Sequence, residues 1–139
     1  RRPQPGPRWT MTDRQAKDLG RRAEKLVGAE YARRGWEVLH RNWRPHGLGL
    51  RGEIDLVVRR GELLAVVEVK ARRRSGPTGG PRQAVDVRKR RRLARLADAL
   101  LVTHPELRSC FVRFDVAAVT MEPDLGEPSL ELIEDAFRL

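Results

Sequence analysis

The chain has 139 residues, 40% hydrophobic and 35% charged, with 29 Lys+Arg against 19 Asp+Glu for a formal net charge of +10. That length suits one domain, the apolar share argues against wholesale disorder, and no run approaches the roughly 20 apolar residues of a membrane span. The single cysteine, Cys110, excludes an internal disulfide and a cysteine-based zinc site, and with no apolar signal segment the chain is expected to be soluble and cytoplasmic.

Residues 1–11 carry three prolines and a glycine and are expected to form a disordered lead before one domain over 12–139. Thr12 with Gln15 three residues on is a capping box, and Ala16, Leu19, Ala23, Leu26, Val27 and Tyr31 follow at helical spacing. Gly20 interrupts that helix and marks a bend or a close contact, while Gly35 ends it. Trp36–Trp43 reads as a strand and Pro45–Gly52 as a loop. Glu53–Val58 and Leu63–Val69 read as two strands of an antiparallel hairpin turning at Gly61. Arg72–Arg82 is a long Gly/Pro/Arg loop. Asp86 caps a second helix with Leu93, Leu96, Ala97, Leu100 and Leu101 on its apolar stripe, and His104-Pro105 closes it. Ser109–Met121 is a long strand, and Leu130–Ile133 a last strand or short helix in an acidic tail segment. The core order αβββαβ predicts an antiparallel meander, a right-handed helical crossover to a parallel strand, and helices on both faces of a mixed sheet.

Charge is concentrated. Residues 70–95 hold 11 basic groups and one acidic group, whereas residues 115–139 hold one basic and seven acidic groups. A patch of that density is the footprint of a polyanionic partner; the plainer reading is a solvated surface in an arginine-preferring chain, with 25 Arg and only four Lys. Lys70 stands out because it is kept where arginine is the habit.

Side chains alternate along a strand, which puts Glu53, Asp55 and Val57 on one face, Ile54, Leu56 and Val58 on the other, and Glu68 with Lys70 on a shared face. Burying such charges beside apolar runs without partners costs several kcal/mol each. A divalent cation held by Asp55 and Glu68 would compensate, since hard oxygen ligands suit magnesium, and Lys70 could pair with a phosphate or hold a water poised for attack. The plainer reading is a Glu68–Lys70 ion pair at a strand end with Asp55 capping a loop. Glu24 on the first helix is by pattern alone a solvent-facing glutamate. His40, His46 and His104 lack metal spacing, and Trp36 reads as core, whereas Trp43 reads equally as core or as a base-stacking residue.

Asp55 followed by Glu68-Val69-Lys70 resembles the PD-(D/E)XK signature of the restriction-endonuclease-like superfamily. More narrowly, Gly20 to Glu24, Tyr31 to Gly35, Arg41-Asn42-Trp43-Arg44, Gly52-Glu53-Ile54-Asp55-Leu56, Val67 to Arg72, Gln83-Ala84-Val85 leading to Lys89, and Arg113-Phe114-Asp115-Val116 are similar to the YraN family of predicted endonucleases, related to archaeal Holliday-junction resolvases. The resemblance spans about residues 14–120. It implies a restriction-endonuclease-like three-layer α/β/α sandwich with a central mixed sheet. It implies that Asp55 and Glu68, with the carbonyl of Val69 and with Glu24, ligate Mg2+ or Mn2+, and that Lys70 positions or activates water. Glu53 and Gln83 belong to the family motifs without a fixed role and are placed just outside the ligands. Ile54 stands where the superfamily loosely keeps proline, as in the family itself.

The expectation is a metal-dependent endonuclease hydrolysing DNA phosphodiester bonds, at branched or junction DNA, with Arg44, Arg72, Arg73, Arg74, Arg82, Lys89, Arg91, Arg92 and Trp43 on the nucleic acid. Cutting a symmetrical junction would require a homodimer. The rivals are a nucleic-acid-binding module that keeps the fold without cleavage, and an assembly factor whose arginines meet RNA or an acidic protein.

Overall fold

Thr12 and Gln15 form the capping box in the computed structural model: the Gln15 amide N–H donates to Thr12 Oγ1 at 3.1 Å and the Thr12 N–H to Gln15 Oε1 at 3.0 Å. The structure describes residues 12–73, 86–121 and 127–138. The expected N-terminal lead and most of the arginine-rich loop, with Arg74, Arg82 and Gln83, lie outside them.

From the cap, α1 runs over Asp13–Arg33, followed by β1 (Glu37–Trp43), β2 (Ile54–Arg60), β3 (Leu63–Arg72), α2 (Val87–Thr103), a short 3-10 turn at Pro105–Leu107, β4 (Phe111–Thr120) and β5 (Ser129–Phe137). The Asp86 carboxylate accepts the Lys89 N–H at 2.9 Å, starting α2 where the sequence places it. Strand order is β1-β2-β3-β4-β5, antiparallel except for β3 against β4, the pair that the α2 crossover joins. The turn between β2 and β3 is two residues, Gly61-Glu62, between the paired Arg60 and Leu63. The last element is a strand and not a helix: β5 pairs with β4 at the sheet edge and carries Glu131, Glu134 and Asp135 of the acidic segment.

Each face of the sheet has its own apolar layer. Ala23, Val27 and Tyr31 of α1 pack with Trp36, Leu56, Val58, Ala65, Val67, Ala117 and Val119. Leu93, Leu96, Ala97 and Leu100 of α2 pack with Ile54, Val57, Leu64, Val66, Phe114 and Val116. β3 is consequently buried on both sides, which explains the unbroken apolar run Leu64–Val67.

Three local expectations change. Leu26 on α1 is 37% exposed, because the helix meets the sheet through Ala23, Val27 and Tyr31. Gly20 does not break the helix or make a close contact among the described residues: α1 is continuous, and nothing lies within 4 Å of the position a Cβ would take. Glycine there costs about 1 kcal/mol of helix stability relative to alanine, and no packing among the described residues accounts for it. Strict alternation fails at the start of β2, where Ile54 packs in the α2 layer while Leu56 and Val58 pack in the α1 layer. The break falls at Asp55.

Trp36 is core as expected, at 4% exposure, with the Arg60 and Arg113 guanidinium groups 4.7 and 4.8 Å from its ring. Below it Asp115, 1% exposed, accepts from Tyr31 Oη at 2.7 Å, from Arg113 Nε and Nη2 at 3.0 Å each, and from the Asp135 backbone N–H at 2.9 Å. That carboxylate ties α1 to β4 and β5 and fills the register shift between Phe114 and Val116.

Candidate metal centre

The paired register of β2 and β3 runs from Arg60–Leu63 to Leu56–Val67. At its end the ladder is continued by a side chain: the Val69 N–H donates to Asp55 Oδ2 at 2.8 Å. Just upstream, Gly52 has φ +105, and a Cβ there would sit 3.1 Å from Arg92 Cδ and 3.5 Å from Leu96 Cδ1. Only glycine satisfies both the backbone and the space. This turn delivers Glu53 beside Asp55.

Opposite, Asn42 on β1 has φ +48, a left-handed conformation that asparagine tolerates better than most residues. Its Nδ2 donates to Glu24 Oε1 at 3.0 Å and lies 3.4 Å from Glu53 Oε1. The amide thereby holds a helix carboxylate and a loop carboxylate side by side. Arg41 lies across α1 at Gly28, where a Cβ would come within 2.7 Å of its guanidinium, so that helix and β1 approach closely.

Glu24, Glu53 and Asp55 each offer an oxygen, and the three atoms lie within 4.8 Å of one another. Magnesium binds oxygen at 2.0–2.1 Å, so opposite ligands stand about 4.2 Å apart. Closure of the three carboxylates by a fraction of an ångström would fit one hard divalent cation, and the all-oxygen donor set is the kind magnesium or manganese takes. Asp55 feels the crowding: burial first, then the Glu68 charge, with Glu24 and Glu53 adding to it, push its pKa up to about 7 against the pull of the Val69 N–H.

Glu68, 7% exposed, is not among those three oxygens; its Oε1 pairs with Lys89 Nζ at 2.5 Å. Lys89 therefore lies next to Glu68 at the centre. Burial and then the neighbouring Lys89 hold Lys70 below the usual lysine range, opposed by Glu68 and Asp55. Burial also lowers Lys89 but is outweighed by its hydrogen bonds to Glu68 and Lys70, so its pKa is raised. Asp55, Glu68, Lys70 and Lys89 are one interacting group, and Glu24 and Glu53 join it through Asp55. Val69 contributes its N–H to Asp55.

The remaining expected contacts separate. Arg44 is exposed and pairs with Glu53 at 2.9 Å. Trp43 is half-buried against the α2 layer with its ring 6.1 Å from that of His104, which itself packs against His40 at 4.8 Å. The tryptophan packs against the core on that side. Arg72 and Arg73 close β3 half-buried.

Two basic grooves flank the centre. One of about 390 Å³ lies between α2 and the loop before β2, lined by Arg51, Arg88, Arg91, Arg92 and Arg95 with Gly49, Leu50 and Leu96. The other, about 500 Å³, opens over α1 and is lined by Lys17, Gly20, Arg21, Glu24, Asn42, Arg44 and Glu53. Sequence reasoning missed Lys17, Arg21, Arg51 and the bridging role of Asn42. The spacing of Lys17, Arg21 and Glu24, four and then three residues, places them on one helix face and was the available signal.

The fold and this centre together define a three-layer α/β protein of the restriction-endonuclease-like kind, carrying an acidic cluster at the divergence of its central hairpin. Comparison with known proteins places it more narrowly. Residues 23–119 match the model of the Uncharacterised protein family UPF0102. A UPF0102 protein of Anaeromyxobacter dehalogenans is 44% identical over 119 residues, covering 86% of this chain and 83% of the relative. One from Pseudomonas aeruginosa is 38% identical over 128 residues (91% and 98%), and one from Frankia casuarinae 44% over 124 residues (88% and 98%). The chain belongs to the UPF0102 (YraN) family.

Proposed function

We propose that this protein is a divalent-cation-dependent endonuclease that hydrolyses DNA phosphodiester bonds. The observation that carries the reading is the convergence of Glu24, Glu53 and Asp55 within 4.8 Å, with Asp55 electrostatically joined to Glu68 and Lys70. A Mg2+ or Mn2+ ion bound there would neutralise phosphate charge and polarise the P–O bond under attack.

The chain's own residues divide the remaining work. Asp55, held in direction by the Val69 N–H, would hold the cation together with Glu24 and Glu53, which Asn42 keeps side by side. Glu68 stands next to Asp55, paired with Lys89, and would serve as a further oxygen donor to a bound cation. Lys70 orients the attacking water and stabilises charge on the phosphate oxygens. Water attacks phosphorus, the bond to the leaving sugar oxygen breaks, and that oxygen ends protonated.

A supporting feature is the pair of basic grooves, because carboxylates repel DNA and a nuclease of this design needs cations beside them. The test is purified protein with labelled duplex, flapped and four-way DNA in Mg2+ or Mn2+, alongside Asp55→Asn and Lys70→Ala. Cation-dependent cutting lost in both variants, with binding kept, supports the proposal. Binding without cutting in any cation leaves a nucleic-acid-binding module, and cutting that survives both substitutions assigns the chemistry elsewhere.

A further inference from the structure

The groove over α1 differs from the one over α2 in a way that bears on where a substrate strand lies. Its basic residues, Lys17, Arg21 and Arg44, share the lining with Glu24 and Glu53, and Asp55 lies beside those two, so its cationic excess is small by itself. A divalent cation among those carboxylates would add two positive charges and turn the groove into an anion site. The α2 groove has five arginines and no acid in its lining, so its attraction for phosphate needs no cation.

Gly20 lines the α1 groove between Lys17 and Arg21 in sequence. This glycine sits inside a 21-residue helix with negative φ and nothing within 4 Å of where its Cβ would be. Among the described residues, neither backbone conformation nor packing explains it. A bare patch of helix between two cationic side chains, leading to an acidic cluster, is what close approach of an external backbone requires.

We infer that the α1 groove is the track for one phosphodiester strand, with Gly20 as the floor it rests on, Lys17, Arg21 and Arg44 contacting successive phosphates, and entry conditional on a cation at Glu24, Glu53 and Asp55. The α2 groove adds cation-independent affinity only. This rests on the nuclease reading for its direction, and binding measurements separate the two.

The experiment is fluorescence anisotropy of a labelled single-stranded oligonucleotide, as DNA and as RNA, in Ca2+ and in EDTA. Wild-type protein binds more tightly in Ca2+. Lys17→Glu/Arg21→Glu loses that increment, and its log–log salt slope in Ca2+ falls by about 1.4, from two phosphate contacts on a single strand. Gly20→Gln also loses the increment while its melting temperature stays level or rises, since glutamine is the better helix former. Arg88→Glu/Arg95→Glu weakens binding equally in both conditions. An increment on either sugar backbone that these α1 variants abolish supports the track. Its absence from wild-type protein on both, or its full retention in Gly20→Gln or the charge-reversal variant, overturns it. If the increment exists but no cation supports cleavage, the track stands and hydrolysis falls; if wild-type cutting persists unaltered in Gly20→Gln, hydrolysis stands and the track falls.

Discussion

Two aspartates embedded in the same sheet have opposite surroundings. Asp115 is 1% exposed and receives four hydrogen bonds, from Tyr31, twice from Arg113 and from the Asp135 N–H. Asp55 is half-buried, takes one backbone N–H, and faces Glu24, Glu53 and Glu68. Burial is common to both, so it does not mark the functional group. The donors supplied differ: among the described residues Asp115 receives four hydrogen bonds and Asp55 one, with Lys70 and Lys89 shared between it and Glu68, and a carboxylate left that way would accept a cation from solution.

The sharpest way to break the contrast is through stability. Asp115→Ala should cost roughly 3–5 kcal/mol, because Arg113 and the Asp135 N–H are stranded in a buried setting; urea unfolding measures it. Asp55→Asn should do the reverse, raising the stability of the cation-free protein by removing a crowded charge. In the same variant DNA cleavage should fall at least about a hundredfold, a modest share of the several kcal/mol an ion contributes to the transition state. A destabilised Asp55→Asn would mean that the two aspartates are alike after all.

pH gives a second handle. The Asp55 pKa is raised in the folded state to about 7 from 3.8, so the folded protein holds a proton that the unfolded chain releases between those values. Its contribution to stability is therefore fully present below about pH 4 and lost as pH rises through about 7. Without divalent cation, the melting temperature of wild-type protein minus that of Asp55→Asn should fall from pH 5 to pH 8, and Mg2+ should flatten the difference at the upper end. A difference that is level across the range would remove the electrostatic crowding on which the centre depends.

A smaller effect sharpens the role of the clamp. Asn42→Gly keeps the left-handed backbone at φ +48 and deletes only the amide between Glu24 and Glu53. Mn2+ affinity by calorimetry should drop about tenfold, the low end for residues that orient ligands, with melting temperature unchanged or raised. Unchanged affinity would reduce Asn42 to a turn residue.

Much of this was legible in the sequence because it is local. The Thr12–Gln15 box, the Asp86 cap, the Gly61 turn and the apolar run of β3 follow from short-range rules, and with the αβββαβ order they specify the layers. Asp55, Glu68 and Lys70 are recognisable because charged groups beside such a run need compensation. What escaped depends on where strands separate. Alternation placed Ile54 with Leu56, but the ladder ends at Leu56–Val67 and Asp55 takes over the Val69 N–H, so the face changes there. The same divergence, with the Gly52 turn, brings Glu53 rather than Glu68 to the Glu24–Asp55 oxygens, and Lys89 reaches Glu68 from α2. Such encounters join residues more than 20 positions apart, and no periodicity encodes them. Trp43 was ambiguous for a related reason: its fate turns on His104 and the α2 layer.

The most direct measurement is an anomalous difference map from crystals grown with Mn2+. A manganese peak bonded to Asp55 and to at least one of Glu24, Glu53 and Glu68 is the expected result. A map with no peak at millimolar Mn2+, while Asp55 keeps only its Val69 hydrogen bond, would contradict a cation-dependent centre at this hairpin.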